Sequence, residues 1–201
     1  MRVLGLDLQC TRLGWACLTV ADGVETIEGG VLRLGMRTEP GKRLGTTRQV
    51  EVPELRFYDL RHKLDELLLR LDEAAPLDVV AYELVGFVRG GRIAAHQWGA
   101  AQASLVEVVY RYGLAYRPIE LRTVAVSAGK LALGGAGNAS VETMLAAARK
   151  RWPGARVEWT AGDCDALDAV GVALAVIAPG ETKAARAKRE AVERRAARGA
   201  T

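Results

Sequence analysis

"RVLGLDLQCTRLGWACLTV", residues 2–20, reads as two buried strands with a short polar break between them. Residues 2–8 form one apolar run and "LGWACLTV" (13–20) a second. "VETIEGGVLRL" (24–34) suggests a third strand, with Gly23 in the turn before it. Three consecutive strands joined by short links imply antiparallel pairing. Asp7 is the anomaly, because aspartate is a poor strand residue and is costly to bury when ionised.

Further along, residues 35–53 are polar, with Gly, Pro and the basic residues Arg37, Lys42, Arg43 and Arg48, and read as a loop. From Leu55 to Ala75 the leucines at 60, 64, 67, 68 and 71 have helical spacing. "LDVVAYELV" (77–85) reads as a strand buried on both faces, and 90–112 as a long helix in which Trp98 is a core residue. "LAYRPIE" (114–120) suggests a short strand and 121–129 a short helix. "LGGAGNAS" (133–140) is a glycine loop in which Asn138 or Ser140 caps a helix running to about Arg151. "AGDCDALDAVGVALA" (161–175) makes the last core helix. The element order predicts an α/β domain with a mixed sheet and helices on both faces.

The 201 residues suffice for one domain with a substantial core, and half of them are hydrophobic. The division expected is a folded domain over 1–180 and a tail over 181–201. The net charge of +4 owes much to that tail, which holds seven Lys/Arg against three Glu and few large apolar side chains. Such a run is ordinarily a solvated face, and it can also add salt-sensitive, sequence-independent affinity for nucleic acid. Cys10, Cys17 and Cys164 form no C-x-x-C pair, which suits a reducing cytoplasmic setting and argues against a disulfide framework or a thiolate zinc site. Neither a signal peptide nor a membrane span is expected. "AGKL" (128–131) lacks the glycine and hydroxyl residue of a P-loop, and His62 and His96 form no ligand pair.

Acids recur where apolar segments are expected: Asp7, Glu83, and the pair Asp165 and Asp168, three apart on one helix face. Each has an ordinary alternative. Asp7 can begin a turn with Gln9 and Thr11, Glu83 can pair with Arg89 or Arg92, and Asp163 and Asp165 can cap the last helix. As a set they are harder to dismiss, since few basic residues lie within those segments and four carboxylates drawn together would repel. Magnesium takes hard oxygen ligands, and two such ions can activate water and stabilise a leaving oxygen. The four acids thus compose a two-metal phosphodiesterase site.

"VLGLDLQCTRLGWACL" resembles the first hairpin of RuvC-type Holliday junction resolvases, within the ribonuclease H-like superfamily. "VVAYELV" resembles the strand bearing that family's Glu, "DCDALDAVGVALA" its last helix, and "GGAGNASVETM" its glycine loop. The resemblance covers about residues 1–178. It implies a ribonuclease H-like mixed five-stranded sheet, Asp7, Glu83, Asp165 and Asp168 as catalytic metal ligands, two Mg2+ per site with Mn2+ able to substitute, and a homodimer that cuts four-way or branched DNA symmetrically. Residues 90–112, rich in small side chains, would then supply the interface unless they simply pack on their own sheet. Phe87 would stack on an unpaired base, and Arg89, Arg92, Lys130, Lys42 and Arg43 would touch phosphate; Phe87 in the core with two solvated arginines is the alternative. Two departures stand out. Gly86 precedes the aromatic Phe87, and Ala136 and Ala139 stand where the family's loop carries lysines. The 35–53 insert and the tail suggest a divergent, bacteriophage-like member. Two other readings compete: a different ribonuclease H-like nuclease acting on RNA intermediates or flap DNA, and a non-catalytic junction-binding module.

Overall fold

The computed structural model describes residues 1–9, 11–40, 47–84, 91–155, 157 and 164–178. Three antiparallel strands open the chain: β1 (Arg2–Leu8), β2 (Arg12–Ala21) and β3 (Val24–Arg33). The turn between β2 and β3 uses positive φ at Asp22 and Gly23, a two-residue hairpin connection of the kind that matches strand twist. A small hairpin, β4 (Met36–Pro40) with β5 (Thr47–Glu51), follows. After it come α1 (Arg56–Ala74), β6 (Val79–Leu84), α2 (Gly91–Ala115), β7 (Glu120–Ala125), α3 (Val126–Gly134), α4 (Val141–Arg151) and α5 (Cys164–Ile177). The main sheet has five strands in the order β3-β2-β1-β6-β7, with β6 and β7 parallel to β1. It is the mixed sheet expected, with helices on both faces.

Two cores sandwich the sheet. On one face, leucines of α1 (60, 64, 67, 68, 71) and residues of α2 such as Leu105, Val108 and Tyr112 pack on Leu4, Leu6, Leu8, Leu13 and Val80. Trp98 is partly buried against this core, as its place in the helix predicts. On the other face, α3, α4 and α5 cover Val3, Ala16, Leu18, Val79 and Ala81. β1 is buried along its whole length. The register is set by Leu6 opposite Tyr82, so Asp7 and Glu83 come next along adjacent parallel strands. Because side chains alternate faces, Gly5, Asp7 and Gly14 share the α5 face with Val3 and Ala16.

Two expectations need correction. The described residues of 35–53 are not simply a loop. Residues 36–40 and 47–51 pair as a ribbon, and Pro53–Leu55 form a short 3-10 turn. The ribbon is polar on both sides, so it carries no apolar alternation to read. Its base is closed by the Val52 N–H donating to the Gly35 carbonyl at 2.6 Å and held to α1 by the Gly35 N–H donating to Asp59 Oδ2 at 2.9 Å. The elements after α2 also lie further along than expected, with the strand at 120–125 rather than 114–120 and the helix at 126–134 rather than 121–129. α2 runs on to Ala115 because Tyr112 is buried and its hydroxyl bonds Asp72 Oδ2 at 3.1 Å. Arg117 then clamps the same carboxylate at 2.7 Å, and Pro118 delays the strand. At α4 the two candidate caps resolve to Ser140, whose Oγ accepts from the Thr143 N–H at 3.3 Å. Among the described residues no helix is long and apolar enough to cross a membrane.

Candidate active site

The carboxyl ends of β1 and β6 lie at the same edge of the sheet, where α/β proteins ordinarily bind ligands. Asp7 is there, 1% exposed, one residue before the end of β1. Glu83, half-buried, lies beside it on β6, within hydrogen-bond reach of its carboxyl. The first turn of α5 meets the same edge, bringing buried Asp165 and half-buried Asp168.

Glycine permits that approach. Gly14, opposite Asp7 in the hairpin, faces the α5 backbone so closely that a Cβ there would sit 2.1 Å from the Asp165 carbonyl oxygen. A Cβ at Gly5 would meet the Ala169 carbonyl oxygen at 2.2 Å. No side chain fits at either position, so the helix backbone rests directly on the sheet. A third close contact, between Gly129 of α3 and Gly171 of α5, carries the neighbouring Lys130 to the site. Its ammonium acts electrostatically on both Glu83 and Asp168.

Crowding shows in the acidities. Asp7 is pushed up to about 8 by burial, then by its hydrogen bond with Glu83 and the neighbouring charges of Glu83 and Asp165; Gln9, whose Nε2 lies 3.3 Å from Asp7 Oδ2, pulls it down. Burial also raises Glu83, with Asp168 adding to the rise and Lys130 opposing it. Asp168 rises to about 6, mainly through burial and then through the charge of Asp7. Asp165 is held differently: Arg12 Nε lies 2.9 Å from its Oδ2. This arginine, at the first position of β2, was not among the partners the sequence suggested. Its signal was available, a basic residue beginning the strand opposite Asp7.

The sequence-predicted acids therefore gather at one edge and share a field. Among the described residues, no group of three or more His, Cys, Asp or Glu is drawn tightly enough to enclose an ion. The donor chemistry nevertheless suits a hard divalent cation, with only carboxylate oxygens and a mutual repulsion that such an ion would relieve. Phe87, Arg89, Lys42, Arg43, Asp163 and the 181–201 tail lie outside the described residues, as does the side chain of Arg92 in the first turn of α2.

An antiparallel three-stranded meander continued by two parallel strands, with helices on both faces, is a ribonuclease H-like α/β fold. Within that class, the chain has the fold of RuvC-type resolvases. It is similar to RuvC of Thermus thermophilus (21% identity, TM-score 0.58, covering 87% of this chain and 92% of that one). The same organism's RuvC in complex with a Holliday junction substrate matches at 20% identity and TM-score 0.59, covering 87% and 91%. The yeast mitochondrial Holliday junction resolvase Ydc2 matches at 13% identity and TM-score 0.50, covering 86% and 75%. No protein-family profile matches the chain, and no curated protein matches it significantly. At these identities the sequence is a divergent carrier of the fold.

Proposed function

We propose that this protein is a metal-dependent, structure-selective endonuclease that resolves Holliday junctions by paired symmetric phosphodiester hydrolysis in a homodimer. The observation supporting it most is the meeting of Asp7, Glu83, Asp165 and Asp168 at one sheet edge, with burial and mutual charge raising the pKa values of Asp7, Glu83 and Asp168. In this reading the four carboxylates hold two Mg2+ ions, for which Mn2+ can substitute. Bound there, the metal supplies an activated water and stabilises the leaving oxygen.

The chain's own groups do the rest. Gln9 donates to Asp7 and fixes the orientation of its carboxyl. Lys130 offsets the negative field of Glu83 and Asp168 and offers an ammonium to a phosphate oxygen. Arg37 and Arg48 on the β4–β5 ribbon, and the basic tail, extend the phosphate-contacting surface. For the dimer, α2 presents an exposed apolar stripe, Val106, Tyr110 and Leu114 at spacings of four, continued by Tyr116, beside an apolar hollow of about 290 Å3 floored by Pro118, Ile119 and Leu121.

The test is a cleavage panel of four-way junction, flap, RNA–DNA hybrid and linear duplex, run with Mg2+ and with chelator. Paired nicks in opposing strands of the junction, dependent on Mg2+, are expected. Preferential cutting of flap or hybrid would move the assignment to another ribonuclease H-like nuclease. Junction binding without cutting of any substrate would leave a binding module.

A further inference from the structure

Asp165 is 3% exposed and lies against the backbone of the hairpin near Asp7, where an ionised carboxylate needs a cation. In this structure that cation is the guanidinium of Arg12, with Nε 2.9 Å from Oδ2. The two partners are unequally placed. The Asp165 side chain is 4% exposed, whereas that of Arg12 is 40% exposed and enters from the rim. Arginine has a long flexible stem, so its head can exchange a carboxylate for another anion without moving the backbone. Directly across the β2–β3 ladder from Arg12 is Arg33, exposed and making no ion pair with a described residue. Like charges directly opposite on neighbouring strands are destabilising unless an anion lies between them. With Arg12 turned outward, the two guanidiniums would frame a phosphate-sized gap at the edge where the acids gather.

We propose that Arg12 is a resident counter-ion that stands in for the divalent cation at Asp165 and is released, on cation binding, to grip a backbone phosphate together with Arg33. The inference rests on the metal-site reading above and adds an order to it. Metal loading and substrate grip become coupled, because one guanidinium cannot serve both anions. By linkage, DNA that engages Arg12 also favours cation binding at the vacated carboxylate.

The experiment titrates Ca2+, a hard cation of the same oxygen-ligand class, calorimetrically into the full-length protein and its variants. Wild type is expected to bind, and Asp168→Asn to bind much more weakly. Arg12→Gln is expected to bind roughly threefold or more tightly, because a competing positive charge has gone; Arg12→Lys should stay near wild type. Damage to the fold would lower the affinity, so the sign separates this role from a structural one, and Arg12→Met repeats the test should the glutamine variant not fold. Fluorescence anisotropy with a four-way junction supplies the second reading. Arg12→Gln should weaken binding and lower the salt slope by about one in Ca2+, yet change neither in EDTA. Asp165→Asn, which removes this ion pair, should tighten junction binding in EDTA. Unchanged or weaker Ca2+ affinity in folded Arg12→Gln, or an equal loss of junction affinity with and without Ca2+, overturns the exchange. Wild-type Ca2+ binding that Asp168→Asn leaves intact would overturn the metal-site reading itself, and the exchange with it.

Discussion

The two faces of the central sheet are built from different side chains, and the difference accounts for where the chemistry lies. The face under α1 and α2 is lined with large residues: Leu4, Leu6, Leu8 and Leu13 from the hairpin meet five leucines of α1. Helices are held off by those side chains at an ordinary packing distance. The face under α5 is lined with Gly5, Gly14, Ala16 and Ala81, and α5 answers with Ala166, Ala169 and Ala173. There backbone meets backbone. A helix carrying two aspartates can then deliver them onto a third aspartate in a strand. Bulk on one side supplies burial of roughly 25 cal/mol per Å2 of apolar surface, while smallness on the other supplies precision.

The faces also treat their carboxylates oppositely. Asp72, beside the leucine core, accepts from Arg117, Tyr112 and the Leu77 N–H. Its pKa is lowered, chiefly by the hydrogen bond from Arg117. Asp7, on the α5 face, is raised to about 8, chiefly by burial. One carboxylate is satisfied by the fold, whereas the other, in the proposed reading, would take a cation in addition to its contacts with Gln9 and Glu83. The sharpest way to break this contrast is to neutralise each in turn. Asp7→Asn should lower junction cleavage by at least about a hundredfold, more than the roughly 10–100-fold cost of losing a residue that only supports a metal ligand, while leaving junction binding intact. Asp72→Asn should lower stability and leave cleavage per folded molecule near wild type. An active Asp7→Asn enzyme would refute the ligand assignment.

Steric changes on the two faces should separate in the same way. Leu64→Ala removes a wholly buried side chain and should cost about 2–5 kcal/mol of stability, with cleavage retained below the lowered Tm. Gly14→Val drives a side chain into the α5 backbone and should cost at least about 2 kcal/mol, with cleavage lost even where circular dichroism shows a folded chain. Equal activity in the two variants at equal folded fraction would remove the distinction.

A smaller effect is expected in the pH dependence of thermal unfolding without divalent ions. A carboxyl raised in the folded state keeps its proton where the unfolded chain has lost it. Asp7 and Asp168 therefore contribute stability that declines as pH rises from about 4 to about 6 for Asp168 and to about 8 for Asp7. Asp72, lowered when folded, contributes stability that is present above the ordinary aspartate value and lost as pH falls below it. Tm should thus fall on both sides of a maximum near about pH 4–5, by roughly 2–4 °C for each kcal/mol lost. Asp7→Asn or saturating Mg2+ should flatten the alkaline side, and Asp72→Asn the acid side. An alkaline limb untouched by either change would mean that Asp7 is not the group responsible.

Much of this was legible in the sequence. The apolar runs at 2–8, 13–20 and 77–85 and the leucine spacing of α1 fix their elements because burial leaves a periodic trace. The acids declared themselves by standing in apolar company. What escaped was whatever leaves no periodic trace. The β4–β5 ribbon is exposed on both sides, and the Tyr112, Asp72 and Arg117 cluster that prolongs α2 joins residues 40 and 45 apart. Nothing in the sequence around Gly14 shows that the α5 backbone rests on it. Arg12 is five residues from Asp7, yet its partner is Asp165, and only the folded chain brings them together.

The pairing of β1 with β6 extends over four residue pairs, Val3–Leu6 with Val79–Tyr82. A slip by a single position would turn Asp7 toward the leucines of α1, where an acid is costliest. The carboxylate reserved for chemistry is thereby a safeguard during folding as well: the misaligned chain is penalised by the very group that makes the correct one useful.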